Sequence, residues 1–183
     1  MTGPIAALGA GRMGRGIAVA FAYAGYAVHR IDAKPRPPEA ADTLAQSARE
    51  EIRGTLATLA ALGLLAPAEV DATAARVTVF ALPDLARAVD GTGVIFEGVP
   101  EVLDIKRDAF ALLCRHCAAD AIIASTTSTI LSDDLQGFVT HPERFLNAHW
   151  LNPAYLVPLV EVSPGAATAR DTVDRLNALL EAI

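Results

Sequence analysis

The beginning of the chain alternates apolar and glycine-rich segments in an order that few folds accommodate. Residues 4–8 are an apolar run, which predicts a buried strand of a parallel sheet. A glycine-rich turn follows over residues 9–16, and residues 17–23 predict a helix. Residues 26–31 predict a second strand, and Asp32 stands directly after it. Strand, turn, helix and strand in this order predict a βαβ unit of an α/β fold.

The glycine-rich turn matches the Gly-x-Gly-x-x-Gly pattern of dinucleotide-binding units. The first glycine permits the tight turn, the second lets the backbone approach a pyrophosphate, and the third allows the helix to pack closely on the strand. A glycine-rich turn without a ligand is the alternative, but the flanking strands and the acid favour the dinucleotide. The cofactor contacts predicted from this turn are Gly9, Gly11, Arg12, Met13 and Gly14.

Asp32 is predicted to select the cofactor. A carboxylate at this position accepts hydrogen bonds from the adenosine ribose hydroxyls, which favours NAD over NADP. Lys34 and Arg36 follow closely and would attract a 2′-phosphate, but the acid would face that phosphate directly. An exposed carboxylate at a strand end is the alternative interpretation. We therefore expect NAD as the cofactor.

The rest of the sequence continues the alternation of helices and strands. Helices are predicted over residues 39–62, 67–75, 83–89, 102–118 and 168–183, and strands over residues 77–80, 93–96, 121–124, 145–150 and 159–162. This pattern predicts a Rossmann-like, doubly wound, mostly parallel α/β sheet, with the first two helices as an inserted hairpin. Because the sequence stops at an amphipathic helix with no following strand, we expect residues 1–183 to be one domain of a longer protein.

Composition and charge limit the classes of partner. Of the 183 residues 52% are hydrophobic, which is enough to bury a core and excludes a disordered chain. The formal net charge is −6 and the basic residues are scattered, so nucleic acid is not an expected partner. No apolar run reaches membrane-spanning length, and the first residues lack the features of a signal peptide. We expect a cytoplasmic protein with a small-molecule substrate.

A histidine and a glutamate suggest acid–base chemistry in the second half. His149 ends one predicted strand, and Glu161 lies 12 residues later on the next. A carboxylate on one imidazole nitrogen fixes the tautomer and leaves the other nitrogen free to accept a proton. From spacing alone, a hydrogen-bonded core histidine with an unrelated glutamate explains the pattern equally well.

Taken together, these segments resemble the NAD-binding domain of the L-3-hydroxyacyl-CoA dehydrogenase family. The resemblance runs from residue 5 to about residue 165, which is nearly the whole chain. It is carried, in order, by residues 9–18, Asp32, residues 97–101, residues 125–128, His149, Asn152-Pro153 and residues 159–162. Several motifs in the right order are far more specific than the glycine turn alone.

The resemblance implies a role for each matching residue. His149 would be the catalytic base, Glu161 would hold it, and Ser128 would hydrogen-bond the reacting oxygen. A serine that only satisfies loop N–H groups is the alternative for Ser128. The cofactor contacts implied on the nicotinamide side are Glu101, Lys106 and Asn152.

The implied reaction is the reversible, NAD-dependent oxidation of the 3-hydroxyl of an L-3-hydroxyacyl-CoA, within fatty acid metabolism. In the family a helical second domain shapes the substrate pocket and the homodimer. We expect that domain to be absent from this chain, so the chain alone should have little activity.

Two features leave the substrate open. The predicted hairpin and the turn after it carry few basic residues for CoA phosphates, namely Arg49, Arg53 and Arg76, and a solvated helix face explains Arg49 and Arg53 as well. Residues 149–156 also resemble relatives that act on free hydroxy acids or hydroxylated amines, such as the gulonate and carnitine dehydrogenases. A nucleotide-binding module without turnover is the alternative from another functional class.

The two cysteines form a C-x-x-C motif, Cys114 to Cys117. A redox motif places its first cysteine at a helix N-terminus, whereas this one falls near a predicted helix C-terminus. A zinc site would need two more ligands at suitable spacing. We therefore expect a partly buried helix end and no metal.

Overall fold

A computed structural model describes residues 3–183, which build one sheet of seven strands with helices on both faces. The expected lack of a signal peptide partly concerns Met1 and Thr2, which lie outside the described residues. The strands are β1 Ile5–Leu8, β2 Val28–Ile31, β3 Val77–Phe80, β4 Val94–Glu97, β5 Ile122–Ser125, β6 Phe145–Trp150 and β7 Val160–Pro164.

The strands lie in the order β3-β2-β1-β4-β5-β6-β7 across the sheet. The first six strands are parallel, and β7 pairs antiparallel with β6. This arrangement confirms the predicted Rossmann-like, mostly parallel sheet.

Helices connect the strands at the positions that the sequence predicts, with two additions. The α-helices are α1 Arg12–Tyr23, α2 Pro38–Ala61, α3 Val70–Ala74, α4 Leu85–Val89, α5 Leu103–His116, α6 Ser132–Gln136 and α7 Arg170–Leu180. Short 3₁₀ turns precede α3, α4 and β6 over Pro67–Glu69, Leu82–Asp84 and Pro142–Arg144. The sequence pattern does not predict α6 or the last of these turns, because helices this short have too little apolar periodicity to be recognised.

The strands are apolar because both faces of the sheet are covered. On one face, side chains such as Ile5 and Phe96 pack against α1, α2 and α7. On the other face, side chains such as Leu8 and Ile95 pack against α4, α5 and α6. Fully burying one large aliphatic side chain contributes about 1.5–3 kcal/mol, so this double layer fixes the positions of the strand ends.

The carboxyl ends of β1, β2, β4, β5 and β6 meet at one edge of the sheet. β1 lies between β2 and β4, where the chain order along the sheet changes direction. In open α/β sheets, ligands bind in the crevice at this edge and at this change of direction. The glycine turn, Asp32 and the loops after β4 and β5 all emerge there.

The helical hairpin formed by α2 and α3 packs on the α1 side of the sheet. Arg53 of α2 pairs with Asp71 of α3, with its Nε 2.6 Å from the carboxylate, and the Asp71 pKa is lowered by this hydrogen bond and charge. Across residues 3–183, no helix combines the length and the apolar character needed to cross a membrane.

Candidate cofactor and active site

Two glycines of the turn are required by the backbone itself. Gly9 has a φ of +129°, and a Cβ there would lie 2.6 Å from the Gly98 carbonyl oxygen. A Cβ at Gly14 would lie 2.2 Å from the Gly9 carbonyl oxygen. Any side chain at either position would push β1, α1 or the loop after β4 apart, so both glycines are explained by the fold.

Gly11 differs, because the fold gives no reason for a glycine there. Its φ is −74°, and a Cβ would meet no atom within 4 Å. The open space lies at the N-terminus of α1, where no side chain caps the helix and no acid occupies the first turn. Free N–H groups and the positive end of the helix dipole attract an anion. The residues present therefore fit the pyrophosphate of a dinucleotide.

Asp32 lies next to this turn and is already engaged by its neighbours. One of its carboxylate oxygens accepts a hydrogen bond from the Lys34 backbone N–H at 3.2 Å, and the other accepts one from Arg36 Nε at 2.5 Å. Arg30 is buried on β2 and donates a hydrogen bond to the Ala10 carbonyl oxygen of the turn. Burial lowers the pKa of Arg30, an effect that the nearby carboxylates partly oppose.

Ser128, His149 and Glu161 form one hydrogen-bonded chain. His149 Nδ1 lies 2.7 Å from Glu161 Oε2, and Ser128 Oγ lies 3.1 Å from His149 Nε2. The antiparallel pairing of β6 and β7 places His149 and Glu161 directly opposite each other. Glu161 accepts only, so Nδ1 carries a proton, and Nε2 is the nitrogen that can accept one.

A buried charge pair lies directly beneath this edge of the sheet. Lys106 on α5 and Glu97 at the end of β4 are both fully buried, and the lysine Nζ lies 3.0 and 3.1 Å from the two carboxylate oxygens. Glu97 also accepts hydrogen bonds from Ser125 Oγ at 2.6 Å and from the Val99 N–H at 2.7 Å. The structure therefore turns Lys106 inward instead of towards the crevice.

Glu101 joins this buried pair to the serine loop. Its carboxylate accepts hydrogen bonds from Thr127 Oγ1 at 2.8 Å and from the Ser128 N–H at 3.0 Å. Lys106 Nζ lies 3.7 Å from the same carboxylate. Glu101 is 42% exposed, so of the predicted pair Glu101 and Lys106 only Glu101 reaches the crevice.

Asn152 is exposed just after β6, close in sequence to His149. The following Ala154 packs into the same core as α1, which holds this loop near the helix that follows the glycine turn. The structure thus brings the predicted catalytic residues and, apart from the inward-turned Lys106, the predicted cofactor residues to one edge of the sheet.

The sequence predicted no role for three residues that contact the candidate site: Glu97, Thr127 and Arg30. A usable signal existed for two of them, because a charge inside or at the end of an otherwise apolar strand needs a partner. Glu97 and Arg30 both stand at such positions. Thr127 gave no separate signal, since its contact with Glu101 depends on how two loops meet.

The cysteines lie away from this site, at the C-terminus of α5 and just beyond it. Arg144 contacts both thiols, at 3.3 Å for Cys117 and 3.6 Å for Cys114. Burial raises the pKa of Cys117, which is the opposite of what a nucleophilic cysteine requires.

A glycine turn with a following acid, and a serine–histidine–glutamate chain at the same sheet edge, define a class. They belong together in the dinucleotide-binding domains of dehydrogenases, where the cofactor takes the hydride and the protein handles the proton.

Comparison with known proteins makes the class specific. The sequence pattern of the family described as "3-hydroxyacyl-CoA dehydrogenase, NAD binding domain" matches residues 4–183. The chain belongs to this family, and NAD is the cofactor of the domain.

Relatives within the family act on different molecules, according to their names. The 5-formyl-3-hydroxy-2-methylpyridine 4-carboxylate 5-dehydrogenase of Mesorhizobium japonicum is 34% identical over 179 residues, which are 98% of this chain and 54% of that protein. The L-carnitine dehydrogenase/betainyl-CoA thioesterase of Rhizobium meliloti is 36% identical over 170 residues, 93% of this chain and 32% of that protein.

A solved structure shows the same fold. The crystal structure of (S)-3-hydroxybutyryl-CoA dehydrogenase from Ralstonia eutropha matches with a TM-score of 0.89 at 25% identity, covering 100% of this chain and 61% of that one. The chain thus spans about half the length of the first of these relatives, a third of the second and three fifths of the solved protein.

Proposed function

We propose that this chain is the cofactor-binding and proton-transfer part of an NAD-dependent dehydrogenase. The reaction is the reversible oxidation of the 3-hydroxyl of an L-3-hydroxyacyl-CoA to the 3-oxo form. The observation that carries the proposal is the hydrogen-bonded chain from Ser128 through His149 to Glu161. A domain that only bound a nucleotide would have no use for an oriented base beside its cofactor crevice.

The three side chains divide the work. Nε2 of His149 accepts the proton of the substrate hydroxyl, and the Glu161 carboxylate stabilises the imidazolium that forms. Before this proton transfer, Ser128 Oγ turns from Nε2 to the substrate oxygen and orients it. Bound NAD would supply the hydride-accepting chemistry for the carbon that carries this hydroxyl.

The cofactor would be held from both ends. Gly9, Gly11, Gly14 and the N-terminus of α1 would bind the pyrophosphate, together with Arg12 and Met13 of the same turn. Asp32 would bind the adenosine ribose. Glu101 would bind the nicotinamide-side ribose, with Lys106 acting through Glu101, and Asn152 would lie at the nicotinamide.

One observation favours a second candidate substrate, a free hydroxy acid or a hydroxylated amine. Arg53 is paired with Asp71, and Arg76 donates to the Ala22 carbonyl oxygen at 2.9 Å. Two of the three basic residues expected near CoA phosphates therefore already have partners within the chain. The carnitine dehydrogenase among the relatives supports the same alternative.

The remaining expectations stay predictions. They are the assignment of residues 1–183 as the NAD-binding domain with the helical domain outside it, homodimerisation of the complete protein, a role in fatty acid metabolism and a cytoplasmic location.

A substrate panel tests the proposal. The longest natural product that contains this chain is assayed for NADH formation with L-3-hydroxybutyryl-CoA, L-gulonate and L-carnitine. Turnover of the CoA ester supports the leading proposal, and turnover of a free acid or amine alone supports the second. NADH binding without turnover of any secondary alcohol would instead support a binding module.

A further inference from the structure

We propose that Arg36 is a specificity-determining residue for the nicotinamide cofactor. Asp32 alone would discriminate against NADPH. Arg36 weakens this discrimination because it neutralises the Asp32 carboxylate and binds the 2′-phosphate of NADPH. The proposal rests on the cofactor site described above and extends it to the choice between the two nicotinamide cofactors.

The effective charge of the Asp32 carboxylate determines how strongly it excludes NADPH. A carboxylate here excludes NADP because it repels a phosphate on the ribose 2′-hydroxyl. In this chain the Asp32 carboxylate is 2.5 Å from Arg36 Nε, and its side chain is only 6% exposed. A carboxylate in contact with a guanidinium inside a poorly solvated pocket presents little net charge to an incoming phosphate.

Other charged side chains lie close to the Asp32 carboxylate. Arg30 lies on β2, two residues before Asp32, is 2% exposed, and is close enough to Asp32 for their charges to interact. Within residues 3–183, the Arg30 Nε and Nη1 atoms are buried without a hydrogen-bond partner. Arg30 also interacts with the charges of Glu51 and Arg15, which form an ion pair at 2.9 Å. Two carboxylates, Asp32 and Glu51, therefore lie among three guanidinium groups, which leaves one net positive charge.

Arg36 is placed so that its side chain can contact a phosphate. Its side chain is 31% exposed, so it is free to contact a bound ligand. Pro35 and Pro37 flank it, and proline restricts both its own backbone and that of the residue before it. The backbone at Arg36 is thus restricted, its Nε is bonded to Asp32, and the two Nη groups remain as donors for a phosphate. Guanidinium groups bind phosphate oxygens in a bidentate manner.

Binding constants for the two reduced cofactors test this directly. NADH and NADPH are titrated by calorimetry into the 183-residue chain and into an Arg36→Gln variant. We expect the wild-type chain to bind NADH more tightly but to bind NADPH measurably. Arg36→Gln should weaken NADPH by about tenfold or more, the value of one charge-assisted hydrogen bond, and change NADH less than about threefold.

Arg170→Gln is the matched control. Arg170 pairs with Asp174 through the same Nε-to-carboxylate contact, at 2.9 Å and at the same i,i+4 spacing, but on exposed α7. This control removes the same charge and the same kind of ion pair, and should leave both binding constants unchanged.

A second variant separates the two parts of the proposal. Asp32→Asn should weaken NADH and tighten NADPH, and the gain for NADPH should disappear in the double variant Asp32→Asn/Arg36→Gln. If Arg36→Gln changed both constants by the same factor, or if it improved NADPH binding, the proposal would be wrong. Failure of the wild-type chain to bind either cofactor would overturn the cofactor site as well.

Discussion

Among single residues, His149 is the one that we propose determines the chemistry of this domain. Its Nδ1 faces Glu161 and its Nε2 faces Ser128, so the ring has one assigned role at each nitrogen. The imidazole is about one-third exposed, which leaves room for a substrate hydroxyl to replace the serine contact. A core histidine would be closed on both sides, so the geometry favours the catalytic alternative over the structural one.

We predict that His149→Ala lowers turnover by about 10²–10⁴-fold, the usual contribution of a general base. Glu161→Gln should cost less, because the base remains and only its charged partner is lost. Turnover and NADH affinity are measured side by side in the longest natural product. NADH binding should be unchanged in both variants, since neither side chain belongs to the glycine turn or to Asp32. A near-normal rate for His149→Ala would remove this residue from the mechanism.

The contact between His149 and Glu161 could be inferred from the sequence because the topology places both residues. The pairing of β6 with β7 follows from two adjacent strands, and the register then brings His149 opposite Glu161. The direction of Lys106 did not follow, because a long flexible side chain points to whichever carboxylate is nearest in three dimensions. The ion pair between Arg36 and Asp32 could not be predicted for the same reason, because the sequence places the two residues close together but does not show that they are in contact.

Between elements, the critical connection joins β4 to α5. The Glu97–Lys106 pair crosses from the sheet to the helix, and both side chains have essentially no exposure. Through Ser125, Thr127 and Glu101 the same network reaches the loop that carries Ser128. The sequence predicted both elements within a few residues, but not that the connection between them is ionic.

Because this pair is buried, we predict strongly non-additive effects on stability. Glu97→Gln or Lys106→Met leaves one buried charge without its partner, and each should lower the free energy of unfolding by about 3–5 kcal/mol. The double variant should lose much less than the sum of the two. Urea denaturation of the four proteins measures the coupling.

The control for this cycle lies on the same helix. Asp104 and Arg107 form an exposed ion pair at 2.9 Å, and Asp104→Asn should change stability by about 0–1 kcal/mol. Additive losses for Glu97 and Lys106 would show that the two charges are solvated independently and that the network does not connect β4 to α5.

At the scale of the whole molecule, the topology of the sheet brings the residues of the proposed cofactor site together. The change of direction in the sheet collects the glycine turn, Asp32 and Glu101 within one chain. A groove beside β7 and α7 is lined by apolar residues, including Leu156 and Leu159, which are 46% and 50% exposed. Val160 and Val162 of β7 line this groove, and Glu161 between them lies on the opposite face of the strand, so the groove and the His149–Glu161 pair lie on different faces of the sheet.

Binding of NADH should stabilise the folded chain against unfolding. NADH at about 100 times its dissociation constant should stabilise the chain by about 2.7 kcal/mol, which raises Tm by about 5–10 °C for a domain of this size. Gly11→Ala should abolish most of this rise, because its Cβ enters the space that the pyrophosphate needs. The free protein should tolerate the substitution, since a Cβ there meets no atom within 4 Å.

Gly54→Ala is the matched control, because a Cβ at Gly54 in α2 also meets no atom within 4 Å. This variant should gain about 0.5–1 kcal/mol from improved helix propensity and keep the full NADH-induced rise in Tm. Thermal unfolding of the three proteins, with and without NADH, therefore separates an effect on the fold from an effect on the ligand. If Gly11→Ala retained the wild-type rise, the pyrophosphate would not approach the backbone at Gly11, and the site would have to be placed elsewhere along the sheet edge.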